Sequence, residues 1–370
     1  MKKRINLSVT ALLVCASIFG LDASETEKPM MPPAVTLQEP SYLIVSSFSG
    51  LAMQPFANNL DFAAEALPFT YGQSQPAVSP NWVIPVISPD YHFGFDVSVA
   101  GIFHGAKSSL AMNWERFHTS NDSQSLNVAD INNMIGPFFE IGPDASVYKK
   151  AKGRVNFHFD EVNLDYGTFV RFGELLNVNF FAGATFSRIY QHRFTQFSDF
   201  VNSTVRTIKV PSKFIGIGPQ VGFDFIYKIV KGFKFVGTTR ASLFVGRFRN
   251  TTTYSTKSND LVRFNDVNPN IQHTNVYHKG GVVPGFEGKL GLAYEYFFGS
   301  KCDRMVKVEA GYQAQIYLSA IRSIDMGSEV ALNAIGSIGS GSTGVYARTF
   351  QRTVSDFAMA GPYGKIDLAF

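Results

Sequence analysis

A two-residue alternation that returns in hairpin after hairpin constrains this chain most. After residue 23 no apolar run is long enough to cross a bilayer as a helix, which takes about 20 residues. Tyr91, Phe93, Phe95, Val97, Val99 and Phe103 share one parity, and His92, Gly94, Asp96 and Ser98 the other. After a link at 104–107, Leu110, Met112 and Trp114 alternate with Ala111, Asn113 and Glu115. Successive strand side chains point to opposite faces, so this is a hairpin with one apolar and one polar face. Ile215, Ile217, Val221, Phe223, Phe225, Tyr227 and Ile229 repeat the pattern against Gly216, Gly218, Gln220, Gly222 and Asp224. A turn at Lys231 and Gly232 leads to Phe233, Phe235, Ala241, Leu243 and Val245 against Lys234, Thr238, Arg240 and Ser242. Val282 to Tyr296 oppose Glu287, Lys289 and Glu295, and Val306 to Ile316 oppose Lys307, Glu309, Gln313 and Gln315.

Hydrophobic residues make up 45% of the chain and aromatics 14%, with 35 Phe, so apolar content is high but dispersed. Only helices and closed barrels cross a bilayer, because every backbone N–H and C=O needs a partner there. Short links at 104–107, 171–176, 230–232 and 298–304 alternate with long polar ones at 118–152, 191–212, 249–279 and 319–353. Short periplasmic turns and long external loops are the pattern of outer-membrane barrels. The fold expected is therefore all-β, a transmembrane antiparallel up-and-down β-barrel of about ten strands.

The N-terminus reads as a signal peptide over residues 1–23: Lys2, Lys3 and Arg4 precede an apolar run, and cleavage is placed after Ala23. Residues 24–57, with Pro29, Pro32, Pro33, Pro40 and Pro55, read as a periplasmic lead-in or plug segment, and the barrel as 58–370 with its first strand around Asn58 to Phe69. Val155, Phe157 and Phe159 share one parity and Val162, Leu164 and Tyr166 the other, so a bulge or a change of environment is expected near Asp160 and Glu161. At the C-terminus Ile366, Leu368 and Phe370 form the alternating aromatic-ended strand that barrel assembly machinery reads, with a bulge expected at Pro362.

Removing Lys2, Lys3, Arg4 and Asp22 lowers 33 basic and 29 acidic side chains to 30 and 28, a net charge of about +2. That balance gives no case for nucleic acid. Cys302 is the one mature cysteine, so no intramolecular disulfide forms. The seven His, among them His92 and His158, fall in no metal-ligand spacing, and no G-x-S-x-G elbow is present. His158 and Asp160, read as one polar face of the lumen, offer only a commonplace pair. Gly216, Gly218 and Gly222 mimic a dinucleotide fingerprint, but Pro219 and continuing alternation deny the helix it needs. No catalytic, cofactor-binding or metal residue is assigned, and no cofactor is expected.

The blocks at 58–67, 92–103, 112–117, 180–186, 214–225, 242–248 and 360–370 resemble the Legionella major outer membrane protein family of pore-forming barrels; FIGIGPQVGFDF at 214–225 and SLFVGRF at 242–248 carry it most strongly. Related barrels occur in chlamydia-like bacteria. The resemblance implies an outer-membrane porin that passes small solutes or ions and strengthens the membrane, with outer-membrane lipids and the assembly machinery as partners and homo-oligomerisation left open. The alternative is a closed-lumen barrel acting as an adhesin or structural protein through its loops. Alternation assigns Asp224, Lys234, Arg240, Glu287, Lys289, Glu295, Lys307 and Glu309 to the lumen, since Arg or Lys facing lipid at the midplane costs about 2–4 kcal/mol. Lys289 beside Glu309 and Glu287 beside Lys307 are the expected pairs.

Overall fold

The computed structural model describes residues 42–67, 81–103, 107–128, 134–136, 148–199, 204–230, 232–258, 271–298, 304–330 and 346–370. The signal peptide, the lead-in up to residue 41 and Cys302 lie outside them. The strands are β1 (Tyr42–Ala57), β2 (Ala64–Leu67), β3 (Asn81–Val83), β4 (His92–Phe103), β5 (Ser108–His118), β6 (Asp122–Asn127), β7 (Met134–Gly136), β8 (Tyr148–Phe172), β9 (Leu176–Asp199), β10 (Thr204–Val230), β11 (Phe233–Ser258), β12 (Ile271–Phe298), β13 (Arg304–Val330) and β14 (Tyr346–Ala369). Ten of them close a ring in the order β1, β4, β5, β8, β9, β10, β11, β12, β13, β14 and back to β1. Closure gives every ring strand two neighbours and leaves no open edge. Where the ring meets itself, Ile44 and Phe370 exchange both backbone hydrogen bonds, at 3.2 and 3.0 Å. Gly232 holds the hairpin between β10 and β11 at φ 84°, a conformation glycine adopts without strain.

The opening strand is not where the sequence placed it. Tyr42–Ala57, read as lead-in or plug, is a ring strand, whereas Asn58 onward leaves the wall. Its alternation is blurred because both faces carry apolar residues: Ile44, Phe48 and Phe56 are exposed outward, and Leu51 and Met53 are buried inward. Pro55, the apparent strand breaker, sits beyond Met53, where pairing with β4 has stopped, and the β14 register places its missing donor on that unpaired side. The segment after β1 supplies the plug instead. Asn59 and Gln191 exchange side-chain amide hydrogen bonds at 2.9 Å each, and Phe62 lies over Gly153, where any Cβ would meet its ring at 2.5 Å. β2 pairs with β3 and β7 to continue this insertion.

Two further expectations change. The segments 191–212, 249–279 and 319–353, read as loops, contain long stretches of ladder: Val205 pairs with Ser198, Thr253 with His273 and Ser328 with Arg348. Strands rich in Thr, Ser and other polar residues on both faces lose the apolar alternation without losing β geometry. The bulge expected at Pro362 is absent on the β13 side, where Tyr312 to Pro362 is in unbroken register; its missing N–H faces β1, and that ladder skips Ala52 and Met53. A bulge lies instead between Tyr317 and Ile321, where Ser319, at φ 59°, donates its N–H to Asp356 at 2.7 Å. Along β8 the register is continuous past Asp160 and Glu161, so a change of environment accounts for the parity change there. Val155, Phe157 and Phe159 are fully buried on the inner face, and Leu164 and Tyr166 are exposed on the outer.

Because the extensions are ladder, backbone amides of Arg193 to Ser198 and Val205 to Val210 should exchange with deuterium slowly, like those of the barrel wall. Exchange as fast as in a free loop, read by mass spectrometry of the folded protein, would restore the loop assignment.

Candidate functional site

Inside the ring the inner face of each strand changes character along its length. In the middle, Asp96 of β4, Glu115 of β5, Glu161 and Asp165 of β8, and Glu287 of β12 gather around Arg240 of β11 and Lys289 of β12. The Lys289 ammonium lies 3.0 Å from Glu287, 3.3 Å from Asp96 and 3.9 Å from Glu115. β5 stands five strands away from β12 around the ten-strand ring, so the contact between Lys289 and Glu115 crosses the full bore. Tyr317 of β13 donates to Glu161 at 2.7 Å, also halfway round the ring. Glu115 accepts from Gln313 at 3.1 Å and from Gln315 at 2.8 Å. Arg240 donates to Glu287 at 2.7 Å, lies 3.5 Å from Asp165 and covers the Phe181 ring at 5.4 Å.

Nearer the chain ends Lys307 bridges Glu309 at 2.8 Å and Asp367 at 3.1 Å, and Tyr363 donates to Glu309 at 2.6 Å. Lys234 pairs with Glu295, and Asp224 accepts from Thr238 at 2.8 Å and Asn179 at 3.3 Å. All eight residues that alternation assigned to the lumen thus have partners within the ring. The expected pairs do not form: Lys289 stands opposite Gln313 and Glu287 opposite Gln315, while Glu309 stands opposite Ala293. The partners that sequence reasoning missed, Asp96, Glu115, Asp165, Gln313 and Gln315, carry the polar parity of their strands, but no local pattern shows which wall they meet.

Beyond the charged layer the inner face turns aromatic. Phe157 stacks on Phe357 at 5.5 Å, while Phe159 packs against Tyr317 at 5.3 Å and Phe214 against Phe248 at 4.8 Å with their rings tilted. Above them Asn59 accepts from Arg193 through its backbone oxygen at 2.5 Å. Burial pushes the neighbouring Asp61 carboxyl above its ordinary range, partly offset by Arg193.

The outer face is the inverse. Phe93 is 87% exposed, Ile217 62% and Val245 60%, and Leu110, Tyr166, Leu292, Tyr294 and Tyr296 continue the band. A contiguous exposed apolar surface of this extent requires a covering phase, and around a closed sheet that phase is lipid. His158 and Asp160, read as lumenal, belong to this outer face, because the buried neighbours Phe157, Phe159 and Glu161 occupy the inner one. Among the described residues no helix is long and apolar enough to span a membrane, and no three His, Cys, Asp or Glu side chains gather as metal ligands.

A closed antiparallel ring, apolar outside and ion-paired inside, defines an outer-membrane β-barrel. The model of the Legionella pneumophila major outer membrane protein precursor family matches residues 47–370, and the chain belongs to that family and to the bacterial outer membrane. Comparison with the curated proteins finds no match. Among solved structures the chain is similar to the outer membrane protease OmpT from Escherichia coli, with 9% identity, 90% of this chain and 99% of that one covered, and a TM-score of 0.40. The Pseudomonas putida toluene transporter TodX shows 6% identity, 89% coverage of each chain and a TM-score of 0.25. A Pseudomonas aeruginosa FadL homologue shows 5% identity, 89% and 90% coverage, and a TM-score of 0.24. These scores are too low to transfer any property.

Arg240 compensates two buried carboxylates, so Arg240→Met should destabilise the folded barrel by about 3–5 kcal/mol. Urea unfolding in detergent micelles would show the loss as a lowered midpoint, while Lys228→Met, on an exposed turn-side position, should leave the midpoint unchanged. Equal midpoints for both variants would mean that the interior pairs contribute nothing.

Proposed function

We propose that this barrel is a porin with a constricted bore, passing ions and the smallest solutes while adding structural material to the outer membrane. The observation that supports it is the composition of the crossing layer: the groups that meet in mid-bore are carboxylates, amides, an ammonium and a guanidinium. Such contacts exchange for water and ions more readily than a packed apolar core does, and rings of charged side chains set selectivity in narrow pores. In the middle layer Asp96, Glu115, Glu161, Asp165 and Glu287 face Arg240 and Lys289, a mixed-charge constriction that makes the passage narrow and only weakly ion-selective. No residue is assigned a catalytic role. The closed structural barrel is the second reading, favoured by the aromatic layer of Phe157, Phe159, Tyr317 and Phe357.

Planar-bilayer recording on refolded protein separates the two. The porin reading expects a small conductance whose reversal potential shifts toward cations in the double variant Lys289→Glu, Lys307→Glu. A silent wild type together with a silent double variant would leave the closed barrel as the account.

A further inference from the structure

Beyond one level of the barrel a single hairpin parts from both of its neighbours in the wall. Pairing of β12 with β13 stops at Gly285 with Tyr317, and pairing of β1 with β14 stops at Ala57 with Phe357. Tyr317 and Phe357 are register partners of each other, so the two ladders end at one level. Past it β13 and β14 run on as a two-stranded ribbon, from Ile321 with Ser355 to Val330 with Tyr346. Among the described residues neither outer edge of this ribbon is paired in the sheet.

The ribbon leans over the interior. The Arg322 N–H donates to Ser212 of β10 at 3.0 Å, and Asn250 and Thr252 of β11 donate to the backbone oxygens of Arg322 and Ile324 at 2.7 and 2.8 Å. β10 and β11 stand three and two strands from β13 in the ring, so these bonds pass over β12. The Arg322 guanidinium covers the Phe248 ring at 3.8 Å, and Ala320 and Ile321 join the buried cluster that holds Phe214, Phe244 and Phe248. At the base lies the bulge between Tyr317 and Ile321, with Ser319 in a left-handed conformation that a residue bearing a Cβ adopts at a cost. The two side chains of the last rung are also rings that shut the bore. Tyr317 lies 5.3 Å from Phe159 and 5.9 Å from Phe244, and Phe357 lies 5.5 Å from Phe157 and 6.0 Å from Phe159. A ribbon without a ladder on either edge opens at lower cost than a wall strand paired on both.

We propose that this ribbon is the gate of the bore. It pivots at the bulge, and as it swings outward the rung of Tyr317 and Phe357 withdraws its rings from Phe157, Phe159 and Phe244. Ser212, Asn250 and Thr252 are the latch that holds it shut. What the gate admits rests on the porin reading; the movement of the ribbon does not.

The test joins a distance to a current. In a Cys302→Ser background, spin labels on Val354→Cys of the ribbon and Arg247→Cys of β11, both exposed positions outside the latch, report their separation in the refolded protein by pulsed electron paramagnetic resonance. Val354 lies three residues, about 10 Å, from Phe357, so release of the ribbon should add a population longer by about 5 Å or more. The latch-free variant Ser212→Ala, Asn250→Ala, Thr252→Ala should populate it and, in planar bilayers, carry about threefold the wild-type current or more. Asn250→Ala alone should move both readouts in the same direction, which keeps the test decisive if the triple variant does not fold. A separation unchanged by loss of the latch in a conducting barrel overturns the gate and leaves the porin reading standing. A lengthened separation with no gain in current also overturns the gate. Silence of every variant, Lys289→Glu with Lys307→Glu included, removes the porin reading as well.

Discussion

Backbone hydrogen bonding in a medium without water governs this molecule. A strand edge left open in hydrocarbon strands a row of N–H and C=O groups, each at a cost of several kcal/mol, so the sheet has to close. Closure falls to β1 and β14, the first and last strands of the ring, whose register runs from Val45 with Ala369 to Ala57 with Phe357. The two prolines near this seam fit because their missing donors fall where pairing lapses, Pro55 beyond the end of β4 and Pro362 at the gap opposite Ala52. The wall thus depends on the two segments of sequence farthest apart.

Once the ring is closed, strand alternation divides the side chains between two solvents. Outward positions meet lipid and are exposed aromatics and aliphatics; inward positions face one another across a bore narrow enough for opposite walls to touch. That narrowness lets Lys289 reach Glu115 and Tyr317 reach Glu161. The same division accounts for the outer rim, where Arg188, Lys213 and Arg247 sit one step beyond the apolar band on strands whose inner faces, at Ile189, Phe214 and Phe248, are fully buried.

Alternation made the hairpins from Tyr91 onward and the outward aromatic face legible in the sequence, because period two fixes the face of every residue once one face is known. It failed where the two environments cease to differ in polarity. Tyr42–Ala57 carries apolar residues on both faces, and the extensions such as Gln191 to Asp199 carry polar residues on both, so each lost its strand signature while remaining ladder. His158 and Asp160 were assigned to the wrong face for a related reason: on β8 the inner face turns from the polar Glu161 and Asn163 to the apolar Phe159 and Phe157, and a polar residue there points outward. Apart from Glu287, the interior partners of Lys289 and Arg240, namely Asp96, Glu115 and Asp165, come from strands far away in sequence, which no local pattern encodes.

The most direct test of the closed ring is a cysteine pair across its seam. Val45 and Ala369 are register partners at a non-hydrogen-bonded site, where Cα atoms lie about 4.5 Å apart, within disulfide range. In a Cys302→Ser background the double variant Val45→Cys, Ala369→Cys should form an intramolecular disulfide under mild oxidation of the folded protein, seen as a reduction-sensitive mobility change and confirmed by peptide mapping. Two thiols that stay free and alkylate readily in the folded barrel would show that β1 and β14 are not joined, and the account of the wall would fail with them.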